Sequence, residues 1–79
     1  MSLNEIKHEE LKKYLYSNSV FGFTVSIRKN YLIYLYKRLF NGIRLSMKVK
    51  VDKKTKYVES VNIKGVIYTD FDEVKKVVE

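Results

Sequence analysis

Residues 31–51 of the 79-residue chain read YLIYLYKRLFNGIRLSMKVKV, and this segment decides the fold. Its first half, Tyr31 to Phe40, is apolar at most positions, which predicts a central strand covered on both sides. Asn41-Gly42 follows, and this dipeptide favours a type I′ turn because both turn positions need positive φ. From Ile43 to Val51, apolar and polar residues alternate strictly, as in a strand with one buried face. The segment therefore predicts a β-hairpin.

A second turn connects this hairpin to the strand before it. Residues 20–28 read VFGFTVSIR and also alternate, and Lys29-Asn30 can form a two-residue connection to the next strand. With two-residue turns at both places, Tyr34 pairs with Val49 on one side and with Val25 on the other. Both registers bring the apolar residues of three strands to the same face of the sheet. We therefore expect a three-stranded meander with its apolar side chains on one face.

The fourth strand is expected from Lys56 to about Tyr68, after a turn at residues 52–55. An irregularity is expected at Lys64-Gly65, because glycine weakens a strand interior. The register of this strand stays open by one residue, since Val58 prefers one pairing to the third strand. Three apolar residues prefer the other pairing: Tyr57, Val61 and Ile63.

Helices are predicted at both ends of the chain. Residues 3–17 carry apolar side chains at helical spacing, and Ser2 with Glu5 forms a capping-box pattern. Near the other end, Thr69 or Asp70 can cap a short final helix. The apolar stripe of that helix is Phe71, Val74 and Val78.

These elements predict a single α+β domain over residues 1–79. Its architecture is an antiparallel four-stranded meander flanked by an N-terminal and a C-terminal helix, in the order α-β-β-β-β-α. Sequential hairpins with short loops make this topology the economical one. Both helices are expected on the apolar face, and three tyrosines are expected to line the core: Tyr14, Tyr34 and Tyr36.

Composition excludes several classes of function. The chain has no cysteine, which excludes a disulfide scaffold, a thiol nucleophile and a thiolate metal site. His8 is the single histidine, and we expect it at the surface or in a capping role. No glycine-rich phosphate loop is present. We therefore expect a non-enzyme with no catalytic residue, no metal, no cofactor and no small-molecule substrate.

Hydropathy predicts a chain that does not enter a membrane. No apolar run reaches the 18 or so residues of a membrane span, and the first residues lack the apolar region of a signal peptide. We therefore expect a cytoplasmic protein.

Charge is the feature that points to a partner. The formal net charge is +7, and residues 20–68 carry eleven basic side chains against two acidic ones. Residues 1–19 are neutral in sum, and residues 69–79 are acidic. Such a basic segment is typical of proteins that bind polyanions. An A/T-rich gene also favours lysine, of which there are 13 against three arginines, so a purely compositional origin stays open.

The polar face of the meander is the predicted binding surface. Sheets that bind nucleic acid combine basic side chains with aromatic rings on which bases stack. We therefore expect a small DNA- or RNA-binding protein that contacts mainly the phosphate backbone, with Tyr31 as its exposed aromatic. The candidate residues are Arg28, Tyr31, Lys37, Arg44, Lys48, Lys50, Lys53, Lys54 and Lys56.

An aliphatic strip on the same face supports an alternative function. Ile33, Leu35 and Leu39 exceed the scattered apolar residues expected on a monomer surface. They could serve a sheet-to-sheet homodimer, or a viral, phage or plasmid module that docks on a host protein. They could also be buried by the final helix, if that helix crosses to this face.

Overall fold

A computed structural model describes residues 1–40 and 43–79 of the protein. It has an α+β fold, in which one antiparallel sheet is flanked by two helices. The strand order in the sheet is the order along the chain. Five strand side chains are also outside the described set: Phe21, Leu39, Phe40, Ile43 and Arg44. The elements are a 3₁₀ turn (Leu3–Glu5), α1 (His8–Ser17), β1 (Val20–Ile27), β2 (Tyr31–Phe40), β3 (Ile43–Asp52), β4 (Val58–Ile63), β5 (Val66–Tyr68) and α2 (Phe71–Val78).

Both predicted hairpin registers are confirmed. Strands β2 and β3 pair without a shift and place Tyr34 opposite Val49. The predicted type I′ turn at Asn41-Gly42 lies outside the described residues. Strand β1 places Val25 opposite Tyr34. The pairing of β1 shifts only near its start, where Gly22 has a φ of +73°.

The ambiguous register of the fourth strand is resolved by a β-bulge. Val49 pairs with Val61 in one register, whereas Val51 pairs with Val58 in the other, and the shift lies between these pairs. A bulge inserts one extra residue into a strand. It therefore lets Val58 and Val61 both face the core, and both are almost completely buried.

The predicted four-stranded meander is wrong by one strand. The chain reverses at Lys64-Gly65, where both residues have positive φ, +53° and +84°. This is the backbone sign pattern of a type I′ hairpin turn. The side-chain oxygen of Asn62 accepts a hydrogen bond from the Gly65 N–H at 3.1 Å. The segment predicted as one strand therefore forms β4 and β5, which pair with each other.

The predicted N-terminal helix over residues 3–17 is interrupted at Ile6 and Lys7. The Ile6 carbonyl accepts a hydrogen bond from the Val58 N–H at 2.9 Å, and the His8 N–H donates to the Lys56 carbonyl at 2.8 Å. These bonds to a distant turn hold the backbone extended, so α1 begins only at His8. The predicted capping box is also wrong, because Ser2 makes no side-chain cap hydrogen bond.

The C-terminal helix is capped as predicted by Asp70, whose carboxylate accepts a hydrogen bond from the Glu73 N–H at 3.3 Å. Of its predicted stripe, Val74 and Val78 are buried and Phe71 is partly buried.

The core lies on one side of the sheet. Leu11 and Leu15 of α1 and Val74 and Val78 of α2 belong to the same buried cluster. Both helices therefore cover this side, which we call the helix face. The prediction that the final helix could cross to the opposite side is wrong. The other buried members of the cluster are Leu3, Ile6, Val20, Leu32, Tyr36, Leu45, Met47, Val49, Val51, Val58, Val61 and Ile63.

Arg38 connects the C-terminal ends of the two helices. Its guanidinium donates hydrogen bonds to the carbonyl oxygen of Asn18, which follows α1, and to that of Val78 in α2. Carbonyl groups at a helix C-terminus carry partial negative charge and are stabilised by a cation. A single side chain of β2 thus satisfies acceptors at both helix ends.

We expect Arg38→Met to lower the free energy of unfolding by about 2 kcal/mol, because hydrogen bonds to a charged group are worth about 1.5–3 kcal/mol. Methionine keeps the apolar stem and removes only the charge and the donors. Urea denaturation of the two proteins measures the difference. Lys37→Met is the control, since Lys37 is exposed on the opposite side of the same strand. Equal stability of the two variants would contradict this role of Arg38.

Candidate functional site

The sheet side that faces away from both helices carries the predicted binding residues. Because side chains alternate along a strand, the neighbours of buried Leu32, Tyr36 and Met47 point to this side. We call it the open face. Its members on the three longest strands are Thr24, Ser26, Tyr31, Ile33, Leu35, Lys37, Ser46, Lys48 and Lys50, with Arg28 directly after β1.

The aliphatic strip is shallow and partly covered. Ile33 and Leu35 are half-buried, while the side chain of Leu39 lies outside the described residues. Ile33 and Leu35 line a depression that is rimmed by the cationic groups of Arg28 and Lys48. A depression with apolar side chains at its base and cationic groups at its rim can bind a ligand that joins a planar or aliphatic group to an anionic group.

Tyr31 and Lys50 form a pair at one end of the open face. The Lys50 ammonium lies 4.4 Å from the centre of the Tyr31 ring, a cation–π contact. The same ammonium lies 3.6 Å from a carboxylate oxygen of Glu59. Lys50 is therefore partly neutralised, and it occupies one side of the Tyr31 ring.

Two turns meet beside this pair. The backbone N–H of Lys53 donates to the Asn30 carbonyl at 3.3 Å, and its ammonium donates to the Arg28 carbonyl at 3.2 Å. These contacts fasten the β3–β4 turn to the β1–β2 turn. They gather four cationic residues at one end of the sheet, which we call the basic corner: Arg28, Lys29, Lys53 and Lys54.

Asp52 is the acidic residue inside the basic corner, and it serves the turn. Its carboxylate accepts hydrogen bonds from the Thr55 N–H at 2.8 Å and the Lys54 N–H at 2.9 Å. These bonds, that from Thr55 above all, lower the pKa of Asp52 below its ordinary 3.8. The carboxylate stays ionised and fixes the loop that carries Lys53 and Lys54.

The predicted binding residues are thus spread over the sheet and its turns. Lys37 lies six residues along β2 from Tyr31, which corresponds to about 20 Å at the rise of a strand. Lys48 lies between them on β3, opposite Leu35. The backbone of Arg44 pairs with Leu39, but its side chain lies outside the described residues.

Lys56 lies apart from the open face. Its carbonyl accepts the hydrogen bond from the His8 N–H, so its backbone adjoins the start of α1. Lys29, by contrast, belongs to the basic corner although it was not among the predicted binding residues. The β1–β2 register already placed Lys29 in a turn, but only the contact between the two turns brings it beside Lys53 and Lys54.

Charge is divided between the two sides of the molecule. Seven of the nine carboxylates belong to the terminal segments that form the helix layer and its caps: Glu5, Glu9, Glu10, Asp70, Asp72, Glu73 and Glu79. The remaining two are Asp52, which is bonded to its own turn, and Glu59, which pairs with Lys50. The open face and the basic corner therefore carry an uncompensated positive charge.

His8 is buried, so the prediction of a surface or capping role is wrong. Its Nε2 lies 2.6 Å from the hydroxyl oxygen of Tyr36, and its ring stacks on Tyr34 at a centroid distance of 3.9 Å. Phe23 packs against both tyrosine rings. Burial lowers the pKa of His8 below 6.5, and the charges of Lys12 and Lys56 act in the same direction against that of Glu9. The sequence offered no signal for this contact, which depends on the interruption before α1.

Comparison with protein-family models, with curated proteins and with solved structures gives no match. Among the described residues, no helix is long and apolar enough to cross a membrane, and no group of three or more potential ligand side chains is arranged to hold a metal ion.

Proposed function

We propose that this protein binds nucleic acid through phosphate contacts made by the open face and the basic corner, without catalysing a reaction. The observation that carries the proposal is the separation of charge between the two sides of the molecule. Lysine occurs on both sides of the fold, but in the terminal segments that form the helix layer seven carboxylates outnumber five lysines. Here the acidic residues lie with the helices, and the cations on the open side have few carboxylates beside them.

The shape of this surface suits a polymer. The cations extend from the basic corner to Lys37 along about 20 Å of strand, a length comparable to about six base pairs at 3.4 Å each. Tyr31 offers one ring for stacking, once the Lys50 ammonium turns to a phosphate. The depression between Arg28 and Lys48 offers an apolar floor for a base.

The chemistry of the cations favours contact with the backbone over sequence reading. The commonest specific contact is arginine to the edge of guanine, and the open side of the described structure offers mainly lysine ammonium groups. Lysine acts as a flexible point charge and lacks the planar fork of arginine. Affinity is therefore expected to depend strongly on salt and weakly on sequence.

The direct test is fluorescence anisotropy of labelled duplex DNA, single-stranded DNA and RNA, titrated with protein at several salt concentrations. The protein should bind at least one probe at micromolar concentration, with a log–log salt slope of several units. The preferred probe then defines the type of nucleic acid. Flat anisotropy with all three probes at about 50 mM salt, where such binding is much tighter than at physiological salt, would refute the proposal.

A pair of double variants tests the location of the site. Lys48→Gln with Lys54→Gln removes two exposed cations from the open side, and Lys13→Gln with Lys76→Gln removes two exposed cations from the helices. Both variants lose the same net charge. We expect the first to lower the salt slope by about two and the affinity at least tenfold, since each phosphate contact contributes about one unit of slope. Equal losses would show that net charge alone matters.

A second candidate function is docking of a protein on the aliphatic strip, as a module of viral, phage or plasmid origin would require. The half-exposed Ile33 and Leu35 favour it. The cations around the strip favour an acidic partner over a second open face of the same charge. Leu35→Ser separates the two functions, because it should weaken such docking and leave the salt slope with nucleic acid unchanged.

A further inference from the structure

Strand β1 is an edge strand whose outer backbone groups are unpaired within the described sheet. The Arg28 N–H donates to the Tyr31 carbonyl at 2.9 Å, so this pair is a hydrogen-bonded one. In an antiparallel ladder such pairs alternate, which directs the N–H and C=O groups of Ser26 and Thr24 towards β2. The same groups of the residues between them point outwards: Phe23, Val25 and Ile27.

The side chains of the same three residues are exposed, although they lie on the helix face. Phe23 is 37% exposed, Val25 45% and Ile27 69%. The register had predicted them in the core beside Leu32 and Tyr36. They share that face, but α1 covers them only in part: the Lys12 ammonium of this helix lies 5.1 Å from the centre of the Phe23 ring, and exposure rises from Phe23 to Ile27.

This edge lacks most devices that prevent strands from pairing. Soluble proteins protect edges with charged side chains, proline or bulges. Residues 20–27 contain no charged residue and no proline. The single irregularity lies between Val20 and Phe23, so the segment from Phe23 to Ile27 is regular.

That regular segment is complementary to itself. If two copies pair antiparallel with Val25 opposite Val25, then Phe23 of each copy faces Ile27 of the other. On the opposite side of the ribbon, Thr24 faces Ser26. Aromatic with β-branched residues, and threonine with serine, are favourable cross-strand pairs. The outward backbone groups of residues 23, 25 and 27 also meet in this register.

Electrostatic repulsion does not oppose this register. The Lys12 ammonium lies 5.1 Å from the Phe23 ring, but the two Phe23 residues are four strand positions apart, about 13 Å. The nearest basic residue along the chain is Arg28, which would lie opposite Gly22 of the second copy. The two Arg28 residues are then six strand positions apart, about 20 Å at the rise of a strand. This separation exceeds the Debye length of about 8 Å at physiological salt. The basic corners lie at opposite ends of the shared ribbon.

We propose that two copies of this chain associate through β1, antiparallel and centred on Val25, so that their sheets become one continuous sheet. The two-fold axis is perpendicular to the sheet, because residues of the same face pair with each other. Both open faces therefore lie on the same side. The proposal does not depend on nucleic-acid binding, which uses other residues.

Cysteine cross-linking tests the register directly. The chain has no cysteine, so Val25→Cys can form a disulfide only with a second copy. Residues in a hydrogen-bonded pair have Cα atoms about 5.5 Å apart, within the disulfide range of about 4.4–6.8 Å. The control is Ile67→Cys on the other edge strand, where Ile67 is 66% exposed. Val25→Cys should form dimers at least tenfold faster, and equal rates would overturn the proposal.

Charge exchange provides a second test that does not depend on oxidation. Val25→Lys and Val25→Glu each place like charges opposite each other, so each variant should be monomeric in sedimentation equilibrium. Their mixture should restore the dimer. Because Val25 is half exposed, both variants should keep the circular-dichroism spectrum of the native chain. Even a weak interface, with a Kd of about 10⁻⁴–10⁻³ M, would form a measurable amount of dimer at several hundred micromolar protein. If the native chain stays monomeric at that concentration, the proposal is overturned and the edge is left for a strand of another protein.

Discussion

Replacing Tyr36 with alanine is expected to lower the free energy of unfolding by about 3–5 kcal/mol, the usual cost of removing a buried aromatic ring. Tyr36 is completely buried in the centre of β2, and its ring contacts the rings of His8, Phe23 and Tyr34. A chain of this length has a total stability of about 4–12 kcal/mol. The variant should therefore be largely unfolded well below the transition of the native chain, which urea and thermal denaturation will show.

Two control variants accompany this test: one removes only the hydroxyl group of Tyr36, and the other removes an exposed ring. Tyr36→Phe keeps the ring and removes only the partner of the His8 Nε2, at a cost of about 1–2 kcal/mol. Tyr57→Ala removes an exposed ring at the end of the sheet and should cost less than about 1 kcal/mol. If Tyr36→Ala were no more damaging than Tyr57→Ala, then the cluster around His8 would not be part of the core.

The second large effect is a loss of stability at mildly acidic pH. His8 is buried and its pKa is lowered below the ordinary 6.5, chiefly by burial. Between these two pKa values the unfolded chain binds a proton that the folded chain does not bind. The free energy of unfolding therefore rises with pH in this range, by up to about 1.4 kcal/mol per pH unit for one proton. The stabilisation is complete above pH 6.5 and is lost as the pH falls through the pKa of folded His8.

Urea denaturation at intervals between pH 5 and 7.5 measures this slope. The carboxyl group of Asp52 has a pKa below 3.8 because of hydrogen bonds from the Thr55 and Lys54 N–H groups, so it titrates outside this range. His8→Gln is the control: its amide can still bond to the Tyr36 hydroxyl, but it does not titrate. The slope should vanish in His8→Gln and persist in Tyr36→Phe. A native chain with constant stability over this range would contradict the buried, neutral state of His8.

The sequence predicted the centre of the sheet because its registers follow from local chemistry. A two-residue turn and a strict alternation leave one pairing that collects apolar side chains on one face. This is why the partners of Tyr34 on both sides were correct. The cap at Asp70 was predicted correctly for the same reason, since it depends only on a side-chain acceptor that lies three residues before the N–H group of Glu73.

The errors concern features that depend on distant parts of the chain. The interruption at Ile6 and Lys7 exists because backbone groups beside them bond to residues 56–58, a contact that no local pattern encodes. The burial of His8 follows from the same interruption. The exposure of Val25 follows from the width of the helix layer, which covers only part of the sheet. The glycine predicted an irregularity at Lys64-Gly65 but not the reversal found there, which also requires the positive φ of Lys64.

The sequence predicted on which face of the sheet individual candidate residues lie, but not which of them come together in space. Alternation alone assigned Lys48 and Lys50 to the open face, and the structure agrees. The basic corner required the contact between Lys53 and the turn at Asn30. The pairing of Lys50 with Glu59 required the bulge in β4, which could not be located while the register of that strand was open.

The order of strands also determines how the chain can fold. Neighbours in the sheet are neighbours in sequence, so each hairpin forms by closing a short loop, which is entropically cheap and fast. The N-terminal segment is different, because Leu3 bonds to Thr69 and Ile6 bonds to Val58. During synthesis this segment leaves the ribosome before Val58 and Thr69, on which it docks. Folding of this domain is therefore expected to finish with the N-terminal segment closing over a sheet that has already assembled.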